Sequence, residues 1–69
     1  MVQLLLNPCP GDDLFEVFSD GYFTGLTLQR EEEGWTFVFN PDYDHRYAIM
    51  AGKKAGSLIE ALNLLRSRL

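Results

Sequence analysis

From Leu14 to Met50 apolar and polar residues alternate with a period close to two, and from Ser57 onward the period lengthens to that of a helix. Val2 to Leu6 is a short apolar stretch suited to a buried strand, and the loop Asn7-Pro8-Cys9-Pro10-Gly11-Asp12 ends it, because its prolines cannot donate to a ladder. Leu14 to Ser19 follows as a strand, with Phe15 and Val17 on one side and Leu14, Glu16 and Phe18 on the other. Asp20-Gly21 is then the two-residue signal for a type I′ hairpin, since both central positions need positive φ. Tyr22 to Gln29 returns as the partner strand. Its Tyr22, Thr24, Leu26 and Leu28 set is expected to face inward, and its Phe23, Gly25, Thr27 and Gln29 set outward.

A polar connection, Arg30-Glu31-Glu32-Glu33-Gly34, leads into Trp35 to Asn40, where Trp35, Phe37 and Phe39 alternate with Thr36 and Val38, completing a second hairpin. Asn40 to His45 is rich in turn formers, and Tyr47 to Met50 fits a short edge strand. Gly52 to Gly56 connects to a helix over Ser57 to Leu69. Ser57 and Glu60 have the spacing of a capping box, and Leu58, Leu62, Leu65 and Leu69 form one stripe with Ala61 beside it. Ile59 sits off that stripe, and Arg66 and Arg68 complement the negative end of the helix dipole. The fold class expected is α+β: an antiparallel sheet of roughly three to five hairpin-connected strands with one C-terminal helix packed on a face, in one domain spanning residues 1–69.

At 69 residues the core is thin, yet 46% hydrophobic and 13% aromatic residues make a globular composition. The single cysteine, Cys9, cannot form an internal disulfide, which points to a reducing, cytoplasmic setting. The apolar run Leu4 to Leu6 is too short for a signal peptide or a membrane span.

The formal net charge of −4 is unevenly placed: residues 1–52 hold nine acids against Arg30 and Arg46, a net of −7, whereas residues 53–69 hold four bases against Glu60, a net of +3. An acidic sheet repels phosphate backbones, so nucleic acid is disfavoured as its partner.

Chemistry-bearing residues are sparse. Lys53, Lys54 and Ser57 flank a helix N-terminus, where free amides attract anions, but the stretch lacks the lysine directly before the capping serine that a phosphate loop uses. Asp42, Asp44 and His45 are too few to close a metal sphere. Cys9 and His45 are the only thiol and imidazole, and Cys9, between two prolines, has no sequence-near cation to lower its pKa. Carboxylates at Asp12, Asp13, Glu16 and Glu31 to Glu33 lie in or beside loops of a chain with little volume for a substrate pocket. Neither enzymatic activity nor a cofactor is expected.

Aromatic residues are in surplus. One helix covers one face of a sheet, so some of the nine rings should be left at the surface, and large exposed apolar patches on small proteins mark interfaces. The function expected is therefore a small acidic protein-interaction module, whether inhibitor, adaptor or subunit. It would present Phe18, Phe23, Trp35 and Tyr43, rimmed by Glu31, Glu32, Glu33, Asp42 and Asp44, to a basic protein surface. Two other readings stand beside it: single-stranded nucleic-acid binding through aromatics with Lys53, Lys54, Arg66 and Arg68, and self-association through an open sheet face or edge.

The segments Gly34-Trp35-Thr36-Phe37-Val38-Phe39-Asn40-Pro41-Asp42 and Gly56-Ser57-Leu58-Ile59-Glu60-Ala61-Leu62 resemble the strand-turn-helix arrangement of short antitoxin domains of the HicB kind. The resemblance covers about half the chain and lacks the glycine and spacing that follow the proline-aspartate pair in that family. It implies a small basic toxin as partner.

Overall fold

A computed structural model describes residues 3–68. The chain forms β1 (Leu4–Pro8), β2 (Leu14–Ser19), β3 (Tyr22–Glu31), β4 (Gly34–Phe39), a 3-10 helix (His45–Met50), β5 (Lys54–Ala55) and α1 (Leu58–Arg68). The five strands make one antiparallel sheet in the order β1-β2-β3-β4-β5, with α1 against one face. The fold expected from the periodicity is the fold observed. Val2 and Leu69, placed by sequence at the start of the first strand and the end of the helical stripe, lie outside the described residues.

Local chemistry sets the register. Asp20 and Gly21 take φ of 52° and 87°, giving the expected type I′ turn between β2 and β3. Asp20 does a second job: its Oδ1 accepts the Gln3 N–H at 2.9 Å while its own N–H donates to Gln3 O at 2.8 Å, which anchors the entry to β1. The turn between β3 and β4 has no positive φ at Glu32 or Glu33, and Gly34 carries the unusual angle instead. A Cβ at Gly34 would meet Ala55 O at 2.3 Å, so glycine is what lets β5 come alongside β4.

One irregularity interrupts the ladder. Phe18 pairs with Phe23 and Glu16 with Thr27, leaving Val17 opposite the longer stretch Thr24-Gly25-Leu26. The buried Thr24 side chain repairs the gap, its hydroxyl donating to Val17 O at 2.7 Å and accepting the Leu26 N–H at 3.1 Å. Gly25, at φ +87°, lies flat beneath Tyr43, and its carbonyl accepts the Asn40 N–H at 2.8 Å.

Alternation then sorts the faces. Val17, Leu26, Leu28, Trp35 and Phe37 point to the inner face and join Ala55, Tyr47, Met50, Ala61 and Leu65 in one buried core. Leu4, Leu6, Phe15, Phe39, Leu58 and Leu64 pack around it. Ala61 and Leu65 stand one turn apart on α1, and burying a leucine such as Leu65 contributes about 2 kcal/mol. The capping box forms in modified shape. Ser57 Oγ accepts the Glu60 N–H at 3.1 Å, whereas the Glu60 carboxylate reaches back past Ser57 to the Gly56 N–H at 3.0 Å. Ile59, off the stripe, is 74% exposed.

Besides the two-residue strand β5, which falls in the stretch expected only as a connection, three places differ from the sequence expectation. Pro8 does not end the first strand but belongs to it; Gln3 O and Cys9 N both bond toward β2, so alternation turns the Pro8 nitrogen outward, where no donor is needed. Tyr47 to Met50 is a 3-10 helix and not an edge strand. Asp44 caps it by accepting the Arg46 N–H, and the three-residue spacing of Tyr47 and Met50 buries both on one side of a three-fold helix. Tyr22, expected inward, occupies the hairpin tip beyond the reach of the core and is 80% exposed.

Candidate interaction surface

The outer face of the sheet carries Leu5 and Asn7 from β1, Leu14, Glu16 and Phe18 from β2, Phe23, Thr27 and Gln29 from β3, and Thr36 and Val38 from β4. The helix and the 3-10 helix bury their side chains on the other side, and β1 lies in the sheet without folding over the outer face. Leu5, Phe18 and Phe23 stand opposite one another on three successive strands, forming a straight apolar row. Phe18 and Phe23 have ring centroids 5.6 Å apart, and Tyr43 meets Phe23 edge-on at 4.9 Å. None of these four belongs to the core cluster. Leu5, Val38 and Tyr43 are exposed, and Phe18 and Phe23 are half-buried against one another.

Tyr43 reaches this face because the chain turns back after β4. Asn40 Oδ1 accepts the Asp42 N–H at 3.0 Å, and the Asn40 amide bonds to Gly25 O, which lays the loop on the bulge. Without a side chain at Gly25, the Tyr43 ring sits down on the backbone.

Phe18, Phe23 and Tyr43 thus come together, but Trp35 does not join them. Its parity on β4 places it with Phe37 on the inner face, where it is only 7% exposed. Phe15 packs against it edge-on at 5.3 Å, and the Arg30 guanidinium covers it at 4.6 Å from the ring centroid. Arg30 is held there by Asp13, at 3.2 Å. Trp35 is therefore a core residue and not a presented ring.

The acidic rim also divides. Glu31, Glu32 and Glu33 sit at the β3–β4 turn, whereas Asp42 and Asp44 follow the far end of β4, a strand length of roughly 20 Å away. Glu16 shares the face of the aromatic row, Asp20 and Asp44 line one groove with Phe23 and Arg46, and Asp42 adjoins Tyr43 in the loop; Glu16 and Asp20 were not among the carboxylates expected to form the rim. Cross-strand pairing reveals Glu16, since it shares the outer face with Phe18 and its Oε1 accepts from Asn7 Nδ2 at 3.0 Å. Asp44 accepts the Arg46 backbone N–H and side-chain Nε, both at 3.0 Å, and forms an ion pair with Arg46 at 2.8 Å. The backbone hydrogen bond from Arg46, supported by its side chain and charge, holds the Asp44 carboxyl below its ordinary pKa of 3.8.

Glu31 to Glu33 line a separate open groove of about 420 Å³ with Lys54 and Glu60 at the start of α1. Of the residues at the helix start, Ser57 Oγ accepts the Glu60 N–H and the Glu60 carboxylate accepts the Gly56 N–H, while Lys54 lines the carboxylate groove and Lys53 does not. Cys9 and His45 lie at opposite ends of the sheet. Among the described residues no three His, Cys, Asp or Glu side chains converge on a metal position, and no helix is long and apolar enough to cross a membrane. Arg66 and Arg68 lie on the helix side of the sheet, away from the aromatic row.

Comparison of the chain with protein-family models, with curated proteins and with solved structures gives no match. The likeness to HicB-type antitoxin domains accordingly remains a local resemblance of two segments.

Proposed function

We propose that this protein is a small acidic interaction module that docks a basic protein surface onto the outer face of its sheet. The observation that carries the reading is the row Leu5, Phe18 and Phe23 with Tyr43, left uncovered by the helix and bordered by Glu16, Asp20, Asp42 and Asp44. Half-buried aromatics that contact one another are already ordered, so a partner gains apolar contact at small entropic cost, and the carboxylates speed encounter with a cationic surface. The opposite placement of Arg66 and Arg68 speaks against the single-stranded nucleic-acid reading, which needs rings and cations on one path. A small basic toxin is one partner with the required chemistry, and the HicB-like segments are what speak for it.

The test compares immobilised wild-type protein with the Phe18→Ser/Phe23→Ser variant, with folding of both checked by Trp35 fluorescence. A genuine partner binds wild type at least roughly 30-fold more tightly, as loss of hot-spot residues requires, and its affinity falls as salt rises from about 50 to about 500 mM. Equal capture by both proteins, or affinity indifferent to salt, overturns the proposal.

A further inference from the structure

We infer that β1 is a self-association edge, on which a second copy of this chain pairs antiparallel with Leu5 facing Leu5 across the two-fold axis. This goes beyond the docking of a basic partner and does not depend on it. β1 pairs with β2 on one side, and its other side is the end of the sheet. The segment Gln3 to Pro8 has no charged residue, so the edge lacks the lysines and carboxylates that usually block strand addition.

The backbone fixes the register. Gln3 O and Cys9 N bond to β2, so the odd-numbered residues of β1 direct their amides and carbonyls inward, and Leu4 and Leu6 direct theirs outward. Two copies satisfy these groups reciprocally only when Leu4 of one pairs with Leu6 of the other, or when either leucine meets itself. The first alternative uses all of them, and it brings Leu5 opposite the second copy's Leu5. Pro8, with no N–H, supplies no outward donor and ends the ladder there.

The side chains agree with that register. Leu5, Phe18 and Phe23 already stand in one row across three strands, and Leu5-to-Leu5 pairing extends the row without a step into the second molecule. Leu5 is 61% exposed in the single chain. Charge does not oppose the union despite −4 on each copy. The carboxylate nearest the seam, Glu16, is bonded to Asn7, and Asn7 would lie opposite Gln3 of the second copy. The two Glu16 side chains would then be about 20 Å apart, beyond two Debye lengths at physiological salt. A seam this short buries little area, so the association is weak, with a dissociation constant on the order of 0.1 mM.

Sedimentation equilibrium from about 10 μM to about 2 mM should show the mass rising from 7.9 kDa toward twice that value. Leu5→Lys, which puts like charges face to face outside the core, should hold the protein at monomer mass with its Trp35 emission unchanged. In a Cys9→Ser background, Leu5→Cys should oxidise to a covalent dimer at least about tenfold faster than Asn7→Cys, because a non-hydrogen-bonded antiparallel pair has Cα atoms at disulfide distance and the Asn7 positions do not meet. A constant monomer mass throughout, or equal oxidation rates for the two cysteine variants, overturns the inference. In that event the edge is free for a strand of different origin. Dimerisation retained in Phe18→Ser/Phe23→Ser, which removes the docking rings but leaves the β1 edge and Leu5 in place, separates this inference from the docking proposal.

Discussion

Gly25→Ala tests whether the outer-face loop is seated by the absence of a side chain. Two costs are involved. The residue keeps φ at +87°, where an alanine pays about 1 kcal/mol, and its Cβ would lie 2.5 Å from Tyr43 Cβ and 3.0 Å from Tyr43 Cγ. Because the nearer obstacle is a Cβ fixed to its own backbone, the loop must lift, and such overpacking costs a further 1–3 kcal/mol or so. Gly21 supplies the control: its φ is also +87°, and a methyl group added there would meet nothing within 4 Å. Gly21→Ala should therefore lose only the conformational part, about 1 kcal/mol, and Gly25→Ala about 2–4 kcal/mol. For a domain whose whole stability is about 3–10 kcal/mol, the difference is readily measured by urea unfolding followed through Trp35 fluorescence. The Gly25→Ala protein should also lose the upfield ring-current shifts that the Phe23–Tyr43 contact produces in proton NMR spectra. Equal destabilisation by the two substitutions would refute the steric argument, since it would mean that Tyr43 moves aside freely.

Thr24→Val retains the shape of the bulge but strands Val17 O and the Leu26 N–H, so unfolding should show a loss of about 2–3 kcal/mol, largely restored by Thr24→Ser. Ser57→Ala removes the acceptor for the Glu60 amide and should cost about 1 kcal/mol in the same assay, with a smaller cost when Glu60 is already alanine. Asp44 titrates lower when folded than its ordinary 3.8, so the unfolded chain binds that proton more tightly. Its contribution is complete above the unfolded pKa and is lost as pH falls through the folded one; the carboxyl carbon shift should accordingly give a midpoint below 3.8, and one at or above that value would contradict the Arg46 contacts.

Much of the fold was legible because local signals agreed with one another. Asp20-Gly21 could hardly be anything but a tight hairpin turn, and the Trp35, Phe37 and Leu26, Leu28 sets share the face that the period of two assigns them. The Thr24–Gly25 bulge leaves no trace in the sequence pattern for an arithmetic reason. It adds an even number of residues to β3, so every side chain beyond it returns to its expected face and the pattern shows no break. β5 has two residues, too few for any periodicity, and the 3-10 helix depends on an Asp44 cap within a stretch that also suits a strand. For the candidate surface, the surplus of rings was legible but their allocation was not. Trp35 was separated from Phe18, Phe23 and Tyr43 by parity and by the cover that Phe15 and Arg30 provide, and the Glu31–Glu33 run by the length of β4.

In this meander each strand lies beside its neighbour in the chain, and short loops join β1 to β4, so those four strands can assemble with one hairpin templating the next and without threading any segment past another. The step that must wait is closure over Leu26, Leu28 and Phe37, whose cover comes from the 3-10 helix and α1 later in the chain. A four-stranded intermediate, β1 to β4, would therefore expose grease on both sides at once. Its lifetime, set by how quickly α1 nucleates behind its Ser57 cap, governs how long the nascent fold is open to aggregation.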